Sequence, residues 1–205
     1  MINIGLLDYS VGNLRSLMQI FKNLPLNFNI ILIKNSSDFN KIDKLILPGQ
    51  GSILSCLNFL KKNFLFNSLF NFIKNNPVLG ICIGKHIFFN KSDEGSINSL
   101  GIFPGLVKKF NNKNLFKIPH IGWNKVKFIK YHFLLKNIYK LNYFYFSHSF
   151  YVIPYEHNYI YGLSNYNVNF SSIFIKNNIF LVQFHPEKSS YLGINLIYNF
   201  CIWNI

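Results

Sequence analysis

The chain has 205 residues, half of them hydrophobic, which excludes an intrinsically disordered protein and is enough for one domain with a sizeable core. Its 21 Lys+Arg against 7 Asp+Glu give a formal net charge of +14, so a strongly negative partner has to be considered. The three cysteines, Cys56, Cys82 and Cys201, are odd in number and irregularly spaced, which argues against a disulfide framework or a zinc site.

Strands and helices alternate in the first half of the chain. Apolar runs predict strands at 2–7, 28–33, 44–47 and 78–81, and helical patterns lie at 52–61 and 64–74. Ser10 can cap an earlier helix, whose apolar positions Leu14, Leu17, Met18 and Phe21 recur at helical spacing. This alternation predicts an α/β fold with a largely parallel sheet and helices on both faces.

The second half of the chain has a different pattern. Residues 100–180 are rich in Tyr, Phe and Ile and are interrupted by Asn-rich breaks, so we predict several antiparallel strands added to the sheet. A strand at 180–184 and a last helix near 190–203 follow. Because no repeat or linker divides the sequence, residues 1–205 are predicted to form a single domain.

Export and membrane insertion are not predicted for this chain. The apolar start at 2–7 leads directly into a motif, so it is better explained as a strand than as a signal peptide. No uncharged apolar run is long enough to cross a bilayer. A reducing compartment suits a catalytic thiol, and we therefore predict a cytoplasmic protein without a membrane partner.

The chain is organised around the segment Gly80–Gly84. The apolar run at 78–81 ends in Gly-x-Cys-x-Gly and precedes residues that can start a helix, which is the pattern of a nucleophile elbow. Glycines at both ends leave room where such a turn packs tightly. Cys82 would lie at a helix N-terminus, which favours its thiolate, and the N–H of Ile83 would face an oxyanion. A buried structural cysteine at a strand end is the alternative.

A His-Pro-Glu motif follows the predicted strand at 180–184. A cysteine nucleophile needs a base, and the base needs an acid that fixes its tautomer and orientation. His185 and Glu187 are two residues apart, which puts both on one side of an extended segment stiffened by Pro186. Alone, the pair could be a strand-end histidine beside a solvated glutamate. Together with the elbow, it predicts a triad with Cys82.

With these motifs the chain resembles the class I, or triad, glutamine amidotransferases, and within them the subunits that supply ammonia for histidine biosynthesis. The resemblance covers nearly the whole chain. Its segments are Asp8–Ser16, Leu47–Ser52, Gly80–Gly84, Lys117–Asn124, Tyr145–Tyr151 and Gln183–Ser189. It implies a flavodoxin-like fold and hydrolysis of L-glutamine to glutamate and ammonia, with no metal or other cofactor. It also implies a heterodimer with a cyclase subunit, a (β/α)₈ barrel that receives the ammonia.

The resemblance assigns roles to particular residues. It implies that Cys82 is the nucleophile, His185 the base and Glu187 the acid that orients the base. The implied oxyanion hole comprises Gln50, Gly51 and Ile83. Implied substrate contacts are Gly49, His86, Glu94, Ser149 and Phe150, and implied contacts with the partner are Trp123, Tyr145 and Lys188. His120 and His148 are expected to be core or interface histidines outside the triad.

Three positions depart from the family pattern. Gln50 stands where relatives more often have a small apolar residue, a change that a backbone donor tolerates because its N–H remains. His86 stands where the pattern has a glutamine that helps hold the substrate, so glutamine affinity depends on whether a histidine can replace it. Lys85 replaces a usual methionine.

Three other functions stay open at the level of sequence. The chain could be another triad hydrolase or amidotransferase, or a subunit kept for structure after losing its own chemistry, as His86 would allow. The net charge of +14 permits a third, nucleic-acid binding. However, Arg15 is the one arginine among 21 basic residues, and the lysines are spread along the chain. Lys, Asn, Ile and Phe are enriched together, which indicates A/T-rich codon bias, so nucleic-acid binding is not our expectation.

Overall fold

The computed structural model describes residues 1–9, 14–26, 28–111, 116–138 and 142–205. The predicted helix cap Ser10 lies outside the described residues, as do 11–13 of the first family segment. Within the described part of the chain, no helix is both long and apolar enough to span a membrane.

The strands and helices follow the predicted alternation in the first half. In chain order they are β1 (Asn3–Leu7), α1 (Arg15–Lys22), β2 (Asn29–Ile33), β3 (Lys44–Leu47), α2 (Ile53–Lys62), α3 (Phe66–Phe72), β4 (Val78–Ile81) and α4 (Ile83–His86). The second half contains β5 (Phe89–Ser92), β6 (Ile97–Asn98), β7 (Phe103–Lys109), β8 (His120–Lys125), β9 (Lys127–Phe128), β10 (Tyr143–His148), β11 (Phe150–Pro154), β12 (Ile160–Tyr166), β13 (Val168–Lys176), β14 (Ile179–Val182) and α5 (Ser190–Ile202).

The central sheet brings the predicted motifs to one edge. Among the described residues it has eight strands in the order β2-β1-β3-β4-β14-β13-β12-β9. The first five are parallel to one another, and the rest pair antiparallel. The carboxyl ends of parallel strands meet at the same edge, which is where ligands bind in open α/β sheets. The residues after β3, β4 and β14 are therefore neighbours, although they are far apart in the sequence.

Burial of the central strands explains why their sequences are continuous apolar runs. Every residue of β3, β4 and β14 is buried, as expected where helices cover both faces of a parallel sheet. Helix α1 contributes Leu17, Ile20 and Phe21 to this core. The prediction that Met18 lies on the apolar face was wrong: Met18 is 39% exposed, and Ile20 occupies the buried position instead.

The strands of the second half join the central sheet only in part. Strands β9, β12 and β13 extend it as predicted, whereas β11-β7-β5-β6 form a four-stranded sheet and β10-β8 a two-stranded one. An aromatic cluster explains the separation, because Phe89 and Phe103 pack with ring centroids 5.0 and 6.4 Å from Phe174 of β13. The four-stranded sheet thus packs on a face of the central sheet instead of extending it at its edge.

A buried lysine holds the end of the last helix at the opposite edge of the sheet. Lys44, the first residue of β3, is only 3% exposed, and its Nζ donates to the carbonyl oxygens of Phe200 and Trp203. These carbonyls belong to the C-terminal end of α5, where backbone acceptors lack helical partners. Burial lowers the pKa of Lys44.

Candidate active site

The predicted nucleophile elbow is present between β4 and α4. Cys82 has φ +48° and ψ −107°, a strained conformation for a residue with a side chain. A Cβ on Gly84 would lie 2.1 Å from the carbonyl oxygen of Leu47, and one on Gly80 would lie 2.7 Å from that of Gly84. Both glycines are therefore needed for the turn to pack. The N–H of Cys82 donates to the carbonyl of Val182 at 2.8 Å, which ties the turn to β14.

His185 lies between Glu187 and the elbow cysteine. Its Nδ1 is 2.7 Å from Oε1 of Glu187, and both side chains are buried. Burial alone would lower the pKa of His185, but the charge and hydrogen bond of Cys82 and those of Glu187 outweigh it and raise the pKa from 6.5 to about 10. Because Glu187 occupies Nδ1, Nε2 is left to face the sulfur. The imidazole is thus held between the sulfur of Cys82 and the carboxyl group of Glu187, which both favour its protonated form.

Backbone contacts hold His185 in this position. Its N–H donates to the carbonyl of Tyr145 at 2.8 Å, and its carbonyl accepts from the Oγ of Ser189 at 2.6 Å. The Oγ of Ser189 also accepts from the N–H of Tyr145 at 3.0 Å. The histidine is thus fixed to β10 through both its backbone and its neighbouring serine.

A cavity of about 270 Å³ opens beside the sulfur. It is lined by eight of the residues implied by the resemblance, Gly49, Gly51, Cys82, Ile83, His86, Glu94, Ser149 and Phe150, together with Pro119, Ser147 and His148. Sequence reasoning gave the last three no place in the site, although each lies inside a segment that carries the resemblance.

A second cavity, of about 300 Å³, lies on the other side of the loop after β3. It is lined by Ser16, Gly49, Gln50, Gly51, His185, Glu187 and Lys188. Gln50 therefore faces the His185 side of the loop and is absent from the lining of the first cavity. The loop itself is pressed against the triad, because a Cβ on Gly49 would lie 2.6 Å from Cβ of Cys82 and 3.1 Å from Cε1 of His185.

The three residues expected at a partner surface are neighbours. Trp123 of β8 pairs with Tyr145 of β10, and their rings meet edge to face at 6.3 Å. The Nζ of Lys188 lies 5.6 Å from the centroid of the Tyr145 ring. Trp123 is 52% exposed, and Lys188 lines the second cavity. These three side chains thus run from the protein surface to the cavity beside His185.

Two titratable side chains that line the first cavity, His86 and Glu94, have perturbed pKa values. His86 is buried, its Nε2 lies 3.0 Å from Oε1 of Gln183, and burial followed by the charge of Lys85 lowers its pKa to about 3. The half-buried carboxylate of Glu94 accepts from the N–H of Ile53 at 3.3 Å, and desolvation raises its pKa. His86 is therefore neutral at pH 7.

His120 and His148 form a neutral pair at the wall of this cavity, which His148 lines. Nδ1 of His120 lies 3.0 Å from Nε2 of His148, whose Nδ1 lies 2.7 Å from the carbonyl of Phe150. Burial lowers the pKa of His120 from 6.5 to about 4 and that of His148 well below its usual value. Neither histidine forms a hydrogen bond with Cys82, His185 or Glu187, so both are better described as structural histidines.

We expect these histidines to make the protein sensitive to acid. A pKa lowered in the folded state means that the unfolded chain takes up the proton first, so the stability is complete above pH 6.5 and is lost as the pH falls toward 4. At pH 5 this shift corresponds to about 2 kcal/mol for His120. Urea unfolding should therefore show that His120→Gln loses about 2 kcal/mol less than the wild type between pH 7 and 5.

The exposed His157 offers a matched control for this experiment. His157→Gln should show the acid dependence of the wild type. If the stability of His120→Gln falls between pH 7 and 5 as much as that of the wild type and of His157→Gln, a buried and neutral His120 is contradicted.

Comparison with known proteins places the chain among amidotransferases. Residues 6–203 match the family model described as glutamine amidotransferase class-I. The chain is 39% identical over 210 residues to the imidazole glycerol phosphate synthase subunit HisH of Nitrosospira multiformis, covering 99% of each chain. It is 41% identical over 199 residues to the subunit of the same name from Methanocaldococcus jannaschii, covering 96% of this chain and 97% of the relative.

Solved structures show the same fold at low sequence identity. PurLQS from Thermotoga maritima matches with a TM-score of 0.71 and 13% identity over 97% of each chain. A glutamine amidotransferase from the same organism matches with a TM-score of 0.61 and 16% identity, covering 96% of this chain and 81% of that one. The mixed α/β architecture with a large central sheet is thus shared with these proteins.

Proposed function

The chain belongs to the class-I glutamine amidotransferase family, and we propose that it is the glutaminase subunit of imidazole glycerol phosphate synthase. Similarity to HisH subunits over nearly the whole of both chains supports this function. The observation that carries the chemistry is the buried pair of His185 and Glu187, 2.7 Å apart, set against Cys82 on a strained elbow. We further propose that residues 1–205 form one glutaminase domain, which the family match over 6–203 supports.

The first half of the reaction uses the charge arrangement around the sulfur. His185 takes the proton of Cys82, and Glu187 stabilises the resulting imidazolium through Nδ1. The thiolate attacks the side-chain amide carbon of glutamine bound in the first cavity. The carbon–nitrogen bond then breaks as His185 gives its proton to the departing ammonia, which leaves a thioester on Cys82.

Backbone donors around the elbow stabilise the charge that develops on the amide oxygen. Ile83 is the first residue of α4, so its N–H has no acceptor within that helix. The loop that contains Gln50 and Gly51 lies against Cys82 from the other side. We assign the oxyanion hole to these N–H groups. Water activated by His185 then hydrolyses the thioester and releases glutamate.

We propose that the ammonia leaves through the second cavity toward a partner subunit. The HisH relatives are subunits of a complex, and we propose that the partner here is a cyclase built as a (β/α)₈ barrel. The second cavity lies on the His185 side of the loop and reaches Lys188, which contacts the Tyr145 ring. We place the partner on this face, with Trp123 at its rim.

The experiment that tests this function measures glutamate release from glutamine by the chain mixed with its cyclase, with and without the cyclase ligand. We expect release that depends on the cyclase and is stimulated by its ligand. Absence of release from a complex that forms and still uses free ammonia would overturn the proposal. Copurification with a purine, pyrimidine or anthranilate synthase instead would assign the subunit to a different amidotransferase.

A second candidate function rests on His86. Relatives usually have a glutamine at this position, and here the imidazole Nε2 already contacts Gln183. A subunit retained only for structure would bind its cyclase without hydrolysing glutamine. The same assay separates the two functions, because only the glutaminase releases glutamate.

Glu94 should set the affinity for glutamine rather than the rate of its hydrolysis. Its carboxylate lines the first cavity, where it can pair with the α-ammonium group of the substrate. For Glu94→Gln we expect KM to rise about tenfold or more with kcat within about threefold, because the pairing is the same in ground and transition states. Steady-state kinetics of the complex measure both constants.

Glu156, an exposed glutamate that does not line the first cavity, is the matched control. Glu156→Gln should leave KM unchanged. A fall in kcat for Glu94→Gln at constant KM would show that Glu94 acts on the transition state instead.

A further inference from the structure

We propose that Lys85 and Gln183 form a positioning pair for the nucleophile, in which Lys85 orients the carboxamide of Gln183 so that its N–H donates to Sγ of Cys82 and stabilises the thiolate. This inference rests on the proposed glutaminase function. It assigns a role to two buried polar residues that the triad does not include.

Gln183 is a polar neighbour of the sulfur that does not line the first cavity. It lies between β14 and His185, is completely buried, and its Nε2 is 3.7 Å from Sγ of Cys82. Other polar neighbours of the sulfur within the described residues include His185 and the carbonyl of Ser147, the latter at 4.0 Å. An amide N–H donates more strongly to a thiolate than to a thiol, since hydrogen bonds to ionised acceptors are the stronger ones.

Lys85 has no carboxylate partner among the described residues. Its side chain is completely buried, with Nζ 2.5 Å from Oε1 of Gln183 and 5.6 Å from the centroid of the Phe174 ring. Burial lowers the pKa of Lys85 from 10.5 to about 7, and the negative charge of Cys82 opposes this shift. In its protonated form Lys85 thus places a positive charge near the nucleophile and is connected to it through one amide.

The carboxamide can adopt only one of its two orientations. Protonated lysine has donors and no acceptor, so Oε1 of Gln183 faces Nζ of the Lys85 ammonium. His86 lies 3.0 Å from the same oxygen and donates to it through Nε2. A flipped amide would put its NH₂ group against both donors. The network therefore directs Nε2 of Gln183 toward the sulfur.

Several titratable groups face this cluster. His86 neighbours Lys85 on α4, and His148 of β10 interacts with the charges of both. His185, which follows β14 in the sequence, faces the sulfur, and its Nδ1 lies against Glu187. Burial keeps His86 and His148 neutral at pH 7. The charges that act on Cys82 near pH 7 are consequently those of the His185–Glu187 pair and of the protonated form of Lys85.

The test measures how fast iodoacetamide alkylates Cys82 between pH 5 and 10, with the product located by peptide mass. Burial raises the pKa of Cys56 and of Cys201 to about 12, so these two thiols stay protonated over this range. Gln183→Glu keeps the shape and the contact with Lys85 but replaces the donor by an acceptor. We expect its alkylation midpoint to move up by about one pH unit, which lowers the rate about tenfold at pH values well below the wild-type midpoint.

Lys85→Met is the second variant, in which methionine, the residue that the family pattern has at this position, removes the charge. Its alkylation midpoint should move in the same direction, and kcat of the complex should fall with little change in KM for glutamine. Lys44→Met is the matched control, because Lys44 is also a buried lysine but lies at the opposite edge of the sheet. It should lower stability without moving the alkylation midpoint.

Alkylation curves of folded Gln183→Glu and Lys85→Met that coincide with the wild type would overturn the proposal. Alkylation requires neither glutamine nor the partner, so this result is independent of the glutaminase assay. A shifted midpoint in a protein that releases no glutamate would sustain the positioning pair while contradicting the proposed function.

Discussion

Cys82→Ala will abolish glutamate release from glutamine by at least about 10⁴-fold, while the complex retains ammonia-dependent synthesis. The reason is that alanine has no group that can form the thioester, and no other cysteine among the described residues lines the first cavity. Free ammonia enters the reaction of the cyclase directly and does not need the sulfur of Cys82. The two assays run on one preparation of the complex therefore separate loss of chemistry from loss of assembly.

Cys201 offers a matched control for the removal of a thiol. It is completely buried in α5, at the opposite edge of the sheet, and burial raises its pKa to about 12. Cys201→Ala should keep both activities. Equal loss of glutamine- and ammonia-dependent synthesis in Cys82→Ala would contradict the role of Cys82, because it would show that the substitution damages the complex.

Gly49→Ala is expected to lower kcat for glutamine about 10²-fold or more, with a smaller effect on stability. The added Cβ would lie 2.6 Å from Cβ of Cys82 and 2.8 Å from the carbonyl oxygen of Ile81. Both are held by the strained elbow and β4, so the loop after β3 has to move instead. Such movement takes the N–H groups of Gln50 and Gly51 away from the oxyanion hole that we propose they form.

Single-turnover measurements of glutamate formation by the complex check this expectation. Thermal unfolding of the isolated variant and its ammonia-dependent synthesis report whether the fold and the assembly are intact. Gly84→Ala provides a contrast, since its Cβ would lie 2.1 Å from the carbonyl of Leu47 inside the elbow and should destabilise the fold itself. A fully active Gly49→Ala would show that this loop does not supply the oxyanion donors.

Much of the candidate site could be predicted because its parts are local. Strands β3, β4 and β14 are short apolar runs that end in glycine or histidine motifs, and the structure places each within a residue or two of its predicted span. The pair of His185 and Glu187 is likewise local, since two residues of one segment form it. Predictions failed where packing decides, as for the exposed Met18 and for the strands that form two additional sheets.

By itself, the sequence determined the α/β alternation, the elbow at Cys82 and the His-Pro-Glu motif, because periodicity, glycine spacing and adjacent side chains act over a few residues. Only the tertiary structure decided which distant groups surround the sulfur. Gln183 reaches Cys82 across 101 residues of sequence, and Lys85 reaches Gln183 across 98. These contacts depend on the parallel pairing of β4 with β14, which aligns the ends of two strands that no local pattern connects.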